Sequence, residues 1–479
     1  MSGQAMKSTM CAIWIVMVLL TAGTVQAGLD FTLHKLESGK PGKTLLVVGG
    51  IQGDEPGGFT TAALVISQYR ITSGSVWVVP NLNFPSIIKN SRGIYGDMNR
   101  KFEELDPSDP EYATIAKIKK IITDERVDAI VHLHDGSGFY RPEREDAMRC
   151  PERWGQCVVI DEERTGEPRY LELAALADRV VSQVNTGLYD PEHVYHVKNT
   201  LTRKKDTVMA KEMAKTLTYY AINNGKPAFG IEASKEFPTA MRSYYHLRAV
   251  EGFMDELGIG FERRFPLTAE GVDQAANSNV ALSFYNNKIF FDLADARARL
   301  GYVPFKKDAA VEYVPSNPLM AVVGGGDAFR IYYGNRNLTE LEPAYFEYDD
   351  TERDLEMVVD GTPRTVPFGR IVSVGKSFTV ADRAECRVNI IGFSKPGQAS
   401  ESGTPVRRED VMDRFSVDKA GRVYRVEVYK KERFAGMVLV RFDDGRGDAR
   451  VAQSLDKAID SRTNLFSRVA AEPPTGASR

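Results

Sequence analysis

Gln52 and Glu55 stand three residues apart in Gly49-Gly50-Ile51-Gln52-Gly53-Asp54-Glu55-Pro56-Gly57-Gly58, where an apolar run empties into a glycine-rich turn ahead of a helical stretch. Where the backbone begins to turn helically, side chains at that spacing converge on one point, and a pair of oxygen donors, one of them charged, suits a metal ion. A nucleotide-binding loop is excluded, because the G-x-G-x-x-G spacing is absent and so is the P-loop Lys-Ser/Thr. A further donor ends the run Val131-His132-Leu133-His134-Asp135-Gly136. Alternation of faces along a strand assigns His134, next to the loop, to the site and His132 to the other side. Glu232 closes the apolar run Ala228-Phe229-Gly230-Ile231, a place poorly explained by a surface charge and better explained by a functional carboxyl.

These residues need elements that bring strand ends together. From Lys43 to about Leu257, short apolar strands alternate with helical stretches, the pattern of an α/β sheet with helices on its faces. Strands are predicted over 44–48, 75–79, 127–133 and 228–232, and helices over 60–69, 111–125, 170–184, 208–223 and 244–257. In an open parallel sheet the functional crevice lies beyond the carboxyl ends of the strands, where Gln52, Glu55, His134 and Glu232 all fall. After about Gly258 helical periodicity gives way to short strand-like segments separated by Gly, Asn and Asp. From Leu355 to Phe442 these follow the spacing of a β-sandwich. The expected division is a catalytic α/β unit over 28–258, a mainly-β accessory unit over 259–345, an Ig-like sandwich over 346–445, and a helical segment with a polar tail over 446–479.

Composition fixes the class. The chain has 479 residues, 43% hydrophobic and 27% charged, which fits several folded domains and excludes both wholesale disorder and a multi-span membrane protein. With 62 Lys and Arg against 65 Asp and Glu, no bulk basic field exists to hold nucleic acid or an anionic membrane. Residues 1–27, with Lys7, an apolar run from Cys11 to Leu20 and small residues up to Ala27, read as a signal peptide. The run is too short to span a bilayer, so no stable membrane anchor is expected after cleavage. In the oxidising compartment that export implies, Cys150 and Cys157 are expected to close a short disulfide loop, leaving Cys386 single and buried.

The order Gln52-Gly53-Asp54-Glu55, Asn99-Arg100, His134 and Glu232 resembles the zinc carboxypeptidases of the M14 family, with their H-x-x-E motif, Asn-Arg pair, strand-end His and Glu base. Gln52 in place of the first His, the G-D-E-P-G-G turn and two β units behind the catalytic one bring the resemblance closer to the peptidoglycan D,L-carboxypeptidases that determine helical cell shape. The resemblance implies one zinc ion held by Gln52, Glu55 and His134, with a position left open for catalysis. Asn99 and Arg100 then take the substrate's terminal carboxylate, for which guanidinium offers a planar fork. Arg92 polarises the scissile carbonyl and stabilises its oxyanion, and Glu232 is the general base. The implied substrate is a peptidoglycan stem peptide, a muramyl tripeptide cut between D-Glu and meso-diaminopimelate, and the implied location is the periplasm. The rival activities are a zinc amidase or deacylase of the same superfamily, and a metal-free protein that only binds the wall. A pocket tyrosine is also implied; Tyr219, Tyr220 and the loop residue Thr202 all remain open for that role.

Overall fold

The computed structural model describes residues 29–164, 172–204, 206–443, 467–468 and 470–471. The expected signal peptide and most of the expected C-terminal helical segment lie outside them. Seven strands form one mixed sheet in the order His34–Glu37, Ser75–Val79, Thr44–Val48, Ala129–Gly136, Ala228–Ser234, Cys157–Ile160 and His196–Asn199. The four from Ser75–Val79 to Ala228–Ser234 run parallel, while His34–Glu37 and Cys157–Ile160 pair antiparallel to their inner neighbours. Thr44–Val48 and Ala129–Gly136 are buried at every position, as central strands covered on both faces are, and in the second of these the burial extends to His132, His134 and Asp135. Helices Pro56–Gln68 and Leu173–Asn185 each pack on Thr239–Glu256, and their apolar faces join the sheet in a single core with Leu46, Ile130, Phe229 and Phe253.

Local chemistry shifts several expected boundaries. The helix expected over 208–223 is two, Val208–Met213 and Leu217–Asn223. Thr216 restarts the second by accepting the Tyr219 N–H in its side chain, an N-cap that the continuous apolar period concealed. The first unit runs past 258: Gly260–Arg263 pairs with Tyr69–Ser73, and helix Ala269–Asn277 packs on Thr239–Glu256 with Val272 in the first core. Residues 259–277, expected in the second unit, therefore belong by packing to the first. At the other end, Ser467–Arg468 and Ala470–Ala471 are short strands paired with Glu312–Pro315 and Met320–Gly325, so the part of the expected helix that is described is extended instead.

The second unit stacks a sheet built on Ala281–Phe284 against one built on Arg336–Phe346. The third is two four-stranded sheets around Leu355, Phe378, Tyr424 and Val438, a β-sandwich as the strand spacing predicts. Its neighbours are not held by linkers alone. One continuous core joins Phe59, Ala63, Phe84 and Ile87 of the first unit, Leu282, Phe291 and Met320 of the second, and Val423, Phe434 and Met437 from strands of the third. Phe59→Ala empties a site at that junction and is expected to cost about 3–5 kcal/mol. Urea unfolding followed by near-ultraviolet circular dichroism checks it, and an unchanged midpoint would show that the junction contributes nothing to stability.

Candidate active site

The turn that carries Gln52 and Glu55 is shaped by contacts only glycine permits. A Cβ on Gly53 would lie 2.0 Å from the Ser86 backbone, and one on Gly57 would lie 2.4 Å from Asp135 Oδ1. Helix Pro56–Gln68 starts on Pro56, whose missing N–H costs nothing at the first turn, and Glu55 is its N-cap residue. Asp135, fully buried, takes the Gly57 N–H on Oδ2 at 2.9 Å, Arg242 on the same oxygen at 3.1 Å and His246 on Oδ1 at 3.0 Å. That carboxylate pins the helix start to the end of the His134 strand, so Glu55 and His134 meet across elements that are themselves locked.

Gln52, Glu55 and His134 come together at one buried point; they are 2%, 4% and 7% exposed. His134 Nδ1 lies 3.0 Å from Gln52 Oε1 and 2.9 Å from Glu55 Oε2. The orientation of Gln52 is fixed by Asp97, whose Oδ1 accepts the Gln52 Nε2–H at 2.8 Å and so leaves the amide oxygen facing the histidine. Glu232 sits beside His134 in parallel register, Cα to Cα, on the same face of the sheet. Its carboxyl makes no hydrogen bond or ion pair among the described residues.

The electrostatics of this point ask for a cation. Burial, and then Arg92, push the His134 pKa down to about 3, so the ring is neutral and keeps a lone pair. Its Nε2 lies 3.1 Å from His132 Nδ1, while Nδ1 faces the Gln52 and Glu55 oxygens. Burial raises the Glu55 carboxyl to about 8 even with Lys235 and Arg92 opposing it, and burial together with Glu55 raises Glu232 well above its ordinary value. Among the described residues no cluster holds three or more His, Cys, Asp or Glu in ligating arrangement. The third donor here is an amide oxygen, and carboxylate, amide and imidazole together make a ligand set that a divalent ion fits.

Arg92 lies over the same carboxylate, 3.5 Å from Glu55 Oε1, and is held at 2.9 Å by Asp97. Asn99 Nδ2 is 3.4 Å from His134 Nε2, and its Oδ1 accepts the Leu217 N–H at 3.1 Å. Arg100 donates to the Asn99 carbonyl at 3.1 Å and pairs with Glu212 at 3.3 Å, with its side chain partly open to solvent. All seven residues singled out from the sequence thus lie at one place in the fold, Glu232 by strand register and the other six by direct contact.

Three expectations fail. His132 does not face away: residues two apart on a strand share a face, and its ring packs against His134 with centroids 4.1 Å apart. Cys150 and Cys157 form no disulfide and are both free. Cys150 is held in a two-residue strand beside Phe139–Tyr140 and Cys157 in the central sheet beside Glu232, and Lys198 ties the intervening loop through the Pro151 and Arg153 carbonyls at 2.6 and 2.9 Å. Cys386 is free as expected but only partly buried. Of the tyrosine candidates, Thr202 is occupied by Asp161 at 2.7 Å and Tyr220 packs on Phe102. The site also uses Asp97, Asp135, Arg242, His246 and Lys235, which carry no motif of their own. Only Asp97, two residues before Asn99, and Asp135, directly after His134, had a positional signal.

Residues 6–277 match the family described as carboxypeptidase controlling helical cell shape, catalytic, and residues 348–443 match the C-terminal domain of metallo-carboxypeptidase. No curated protein matches the chain. Among solved structures, the apo form of cell shape determinant protein Csd4 from Helicobacter pylori is 38% identical, with a TM-score of 0.79, and the alignment covers 86% of this chain and 100% of that one. Its tripeptide-bound form aligns over the same shares at 38% identity with a TM-score of 0.78. The form bound to mDAP, titled a D,L-carboxypeptidase, aligns over the same shares at 38% and 0.79. A site of this geometry, a catalytic family match over more than half the chain and that identity over most of its length lead to one assignment: the chain belongs to the metallocarboxypeptidase family that controls helical cell shape.

Proposed function

We propose that this chain is a periplasmic, zinc-dependent D,L-carboxypeptidase that removes meso-diaminopimelate from the muramyl tripeptide of peptidoglycan and leaves the dipeptide. The observation that carries the reading is the convergence of Gln52 Oε1 and Glu55 Oε2 on His134 Nδ1, with Glu232 in register beside it. The tripeptide-bound, product-bound and mDAP-bound forms of the Helicobacter pylori relative support the choice of substrate. The location rests on the expected signal peptide and on where such a substrate is found; among the described residues no helix is long and apolar enough to cross a membrane.

Gln52, Glu55 and His134 would hold the zinc ion. Bound there, it supplies Lewis acidity toward water and the scissile carbonyl. Glu232 takes the proton from the attacking water and hands it to the leaving amine, and its place on a central strand keeps the distance fixed through both transfers. The Arg100 fork, steadied by the Asn99 carbonyl, receives the carboxylate that makes the enzyme an exopeptidase. Arg92 brings positive charge to the carbonyl oxygen as it becomes an anion.

Purified muropeptides incubated with the mature protein should lose one terminal residue, as read by mass spectrometry, and chelator should stop the reaction; a product of another mass would replace the reading. Glu232→Gln should retain zinc and fold while kcat falls about a hundredfold to ten-thousandfold. Turnover close to wild type would remove Glu232 as the base. Asp97→Ala frees the Gln52 amide to rotate, so zinc affinity measured by competition with a chromophoric chelator should fall about ten- to a hundredfold. Unchanged affinity would mean that Asp97 does not orient the ligand.

The Glu55 carboxyl gives a pH signature. Its pKa is about 8 in the folded, metal-free chain against an ordinary 4.5, so between those values the folded state binds more protons than the unfolded one. Metal-free stability from this group therefore falls as pH rises through that window. Glu55→Gln lacks the titration, and in chelator its Tm relative to wild type should climb from about pH 5 to about pH 8. A Tm difference that stays flat across that range would contradict the burial assigned to Glu55.

A further inference from the structure

Lys235 follows the Glu232 strand directly, and its backbone N–H donates to the Gly136 carbonyl at 2.7 Å, fixing the residue against the end of the His134 strand. Its Nζ lies 3.1 Å from Asp54 Oδ2 and 3.5 Å from Glu55 Oε1, and the side chain is 30% exposed. Asp54 tethers an ammonium that a flexible four-carbon stem would otherwise let sweep. An ammonium carries three donors; Asp54 accepts one as a hydrogen bond and Glu55 stands at ion-pair distance, which leaves donor capacity for a group arriving from solvent. The reaction described above uses the charges of Arg92 and Arg100 but not this one.

Its position is as informative as its charge. Lys235 approaches Glu55, which faces Nδ1 of His134, whereas Arg100 follows Asn99, which faces Nε2, and lies 3.9 Å from Asp97. When Arg100 holds a substrate's terminal carboxylate and the scissile carbonyl lies at the ligand set, Lys235, 3.5 Å from Glu55, is the cation beside that set which the terminal carboxylate does not occupy. When the substrate's acyl residue is a glutamate joined through its side-chain carboxyl, its α-carboxylate is free and needs a cation. We propose that Lys235 is the specificity residue that binds this second carboxylate, so that the enzyme selects an acyl-side γ-linked D-Glu over its neutral α-amide. The proposal rests on the D,L-carboxypeptidase reading.

Two tripeptides decide it, one carrying γ-linked D-Glu and the other its α-amide, each assayed with zinc-loaded wild type, Lys235→Met and Lys235→Arg. The readout is the ratio of kcat/KM for the two peptides within each protein, which cancels any loss of zinc or of folded enzyme. Wild type should prefer the free carboxylate by about ten- to a hundredfold, mostly through KM. Lys235→Met should bring the ratio close to one, and Lys235→Arg should keep most of the preference. A wild-type ratio near one, or a preference that survives Lys235→Met, overturns the proposal. If wild type cleaves neither peptide, the D,L-carboxypeptidase reading fails and this proposal falls with it.

Discussion

A carboxyl, an amide oxygen and an imidazole crowded together out of contact with water give up hydration that only a close partner, a cation or a shared proton, restores. Much of the first unit serves to enforce that unfavourable meeting. The central parallel strands bring His134 and Glu232 side by side, the glycine turn lets the Gln52 and Glu55 backbone approach, and two further carboxylates hold the arrangement from behind. Asp97 fixes which end of the Gln52 amide points inward, and Asp135 clamps the helix that begins at Glu55. Without such restraints the donors would turn outward to solvent, since nothing in their own conformational preferences favours crowding.

The position of the base follows from a different restraint. Glu232 is placed by strand pairing and not by a loop, so its separation from His134 is set by the spacing of neighbouring strands in a sheet, a distance of about 4.8 Å that side-chain substitution barely alters. Arg92 lies in the turn after helix Phe84–Ile88, and Arg100 ends the single 3-10 turn Met98–Arg100, so both sit on short connecting segments and not on the sheet.

How far the sequence reveals this differs by residue. Gln52, Glu55, His134 and Glu232 were legible because each sits where an apolar run stops, and the ends of strands in such a sheet share one edge. Strand Cys157–Ile160, which flanks Glu232, was missed because it is only four residues long and follows a polar loop, and the disulfide expectation drew attention to its first residue for another reason. The break at Thr216 was hidden because a cap is one side-chain hydrogen bond within an otherwise helical period. His246 and Lys235 act through partners far away in the chain, and spacing within a single stretch carries no trace of such contacts. His132 shares the face of His134 because residues two apart on a strand point the same way, so the period of the run itself places both rings at the site.

The continuous core running from Phe59 through Met320 to Phe434 has a bearing on inheritance. A tethered module can be exchanged between relatives by recombination at its linker, because few side chains pack across the cut. Here a crossover near residue 278 or residue 348 would mate halves of one packed interior, and chimeras would fit only where both parents had kept complementary volumes at the junction. The β units are therefore bound to co-evolve with the helix that begins at the active-site turn, and their substitutions can be felt at Glu55 without touching substrate.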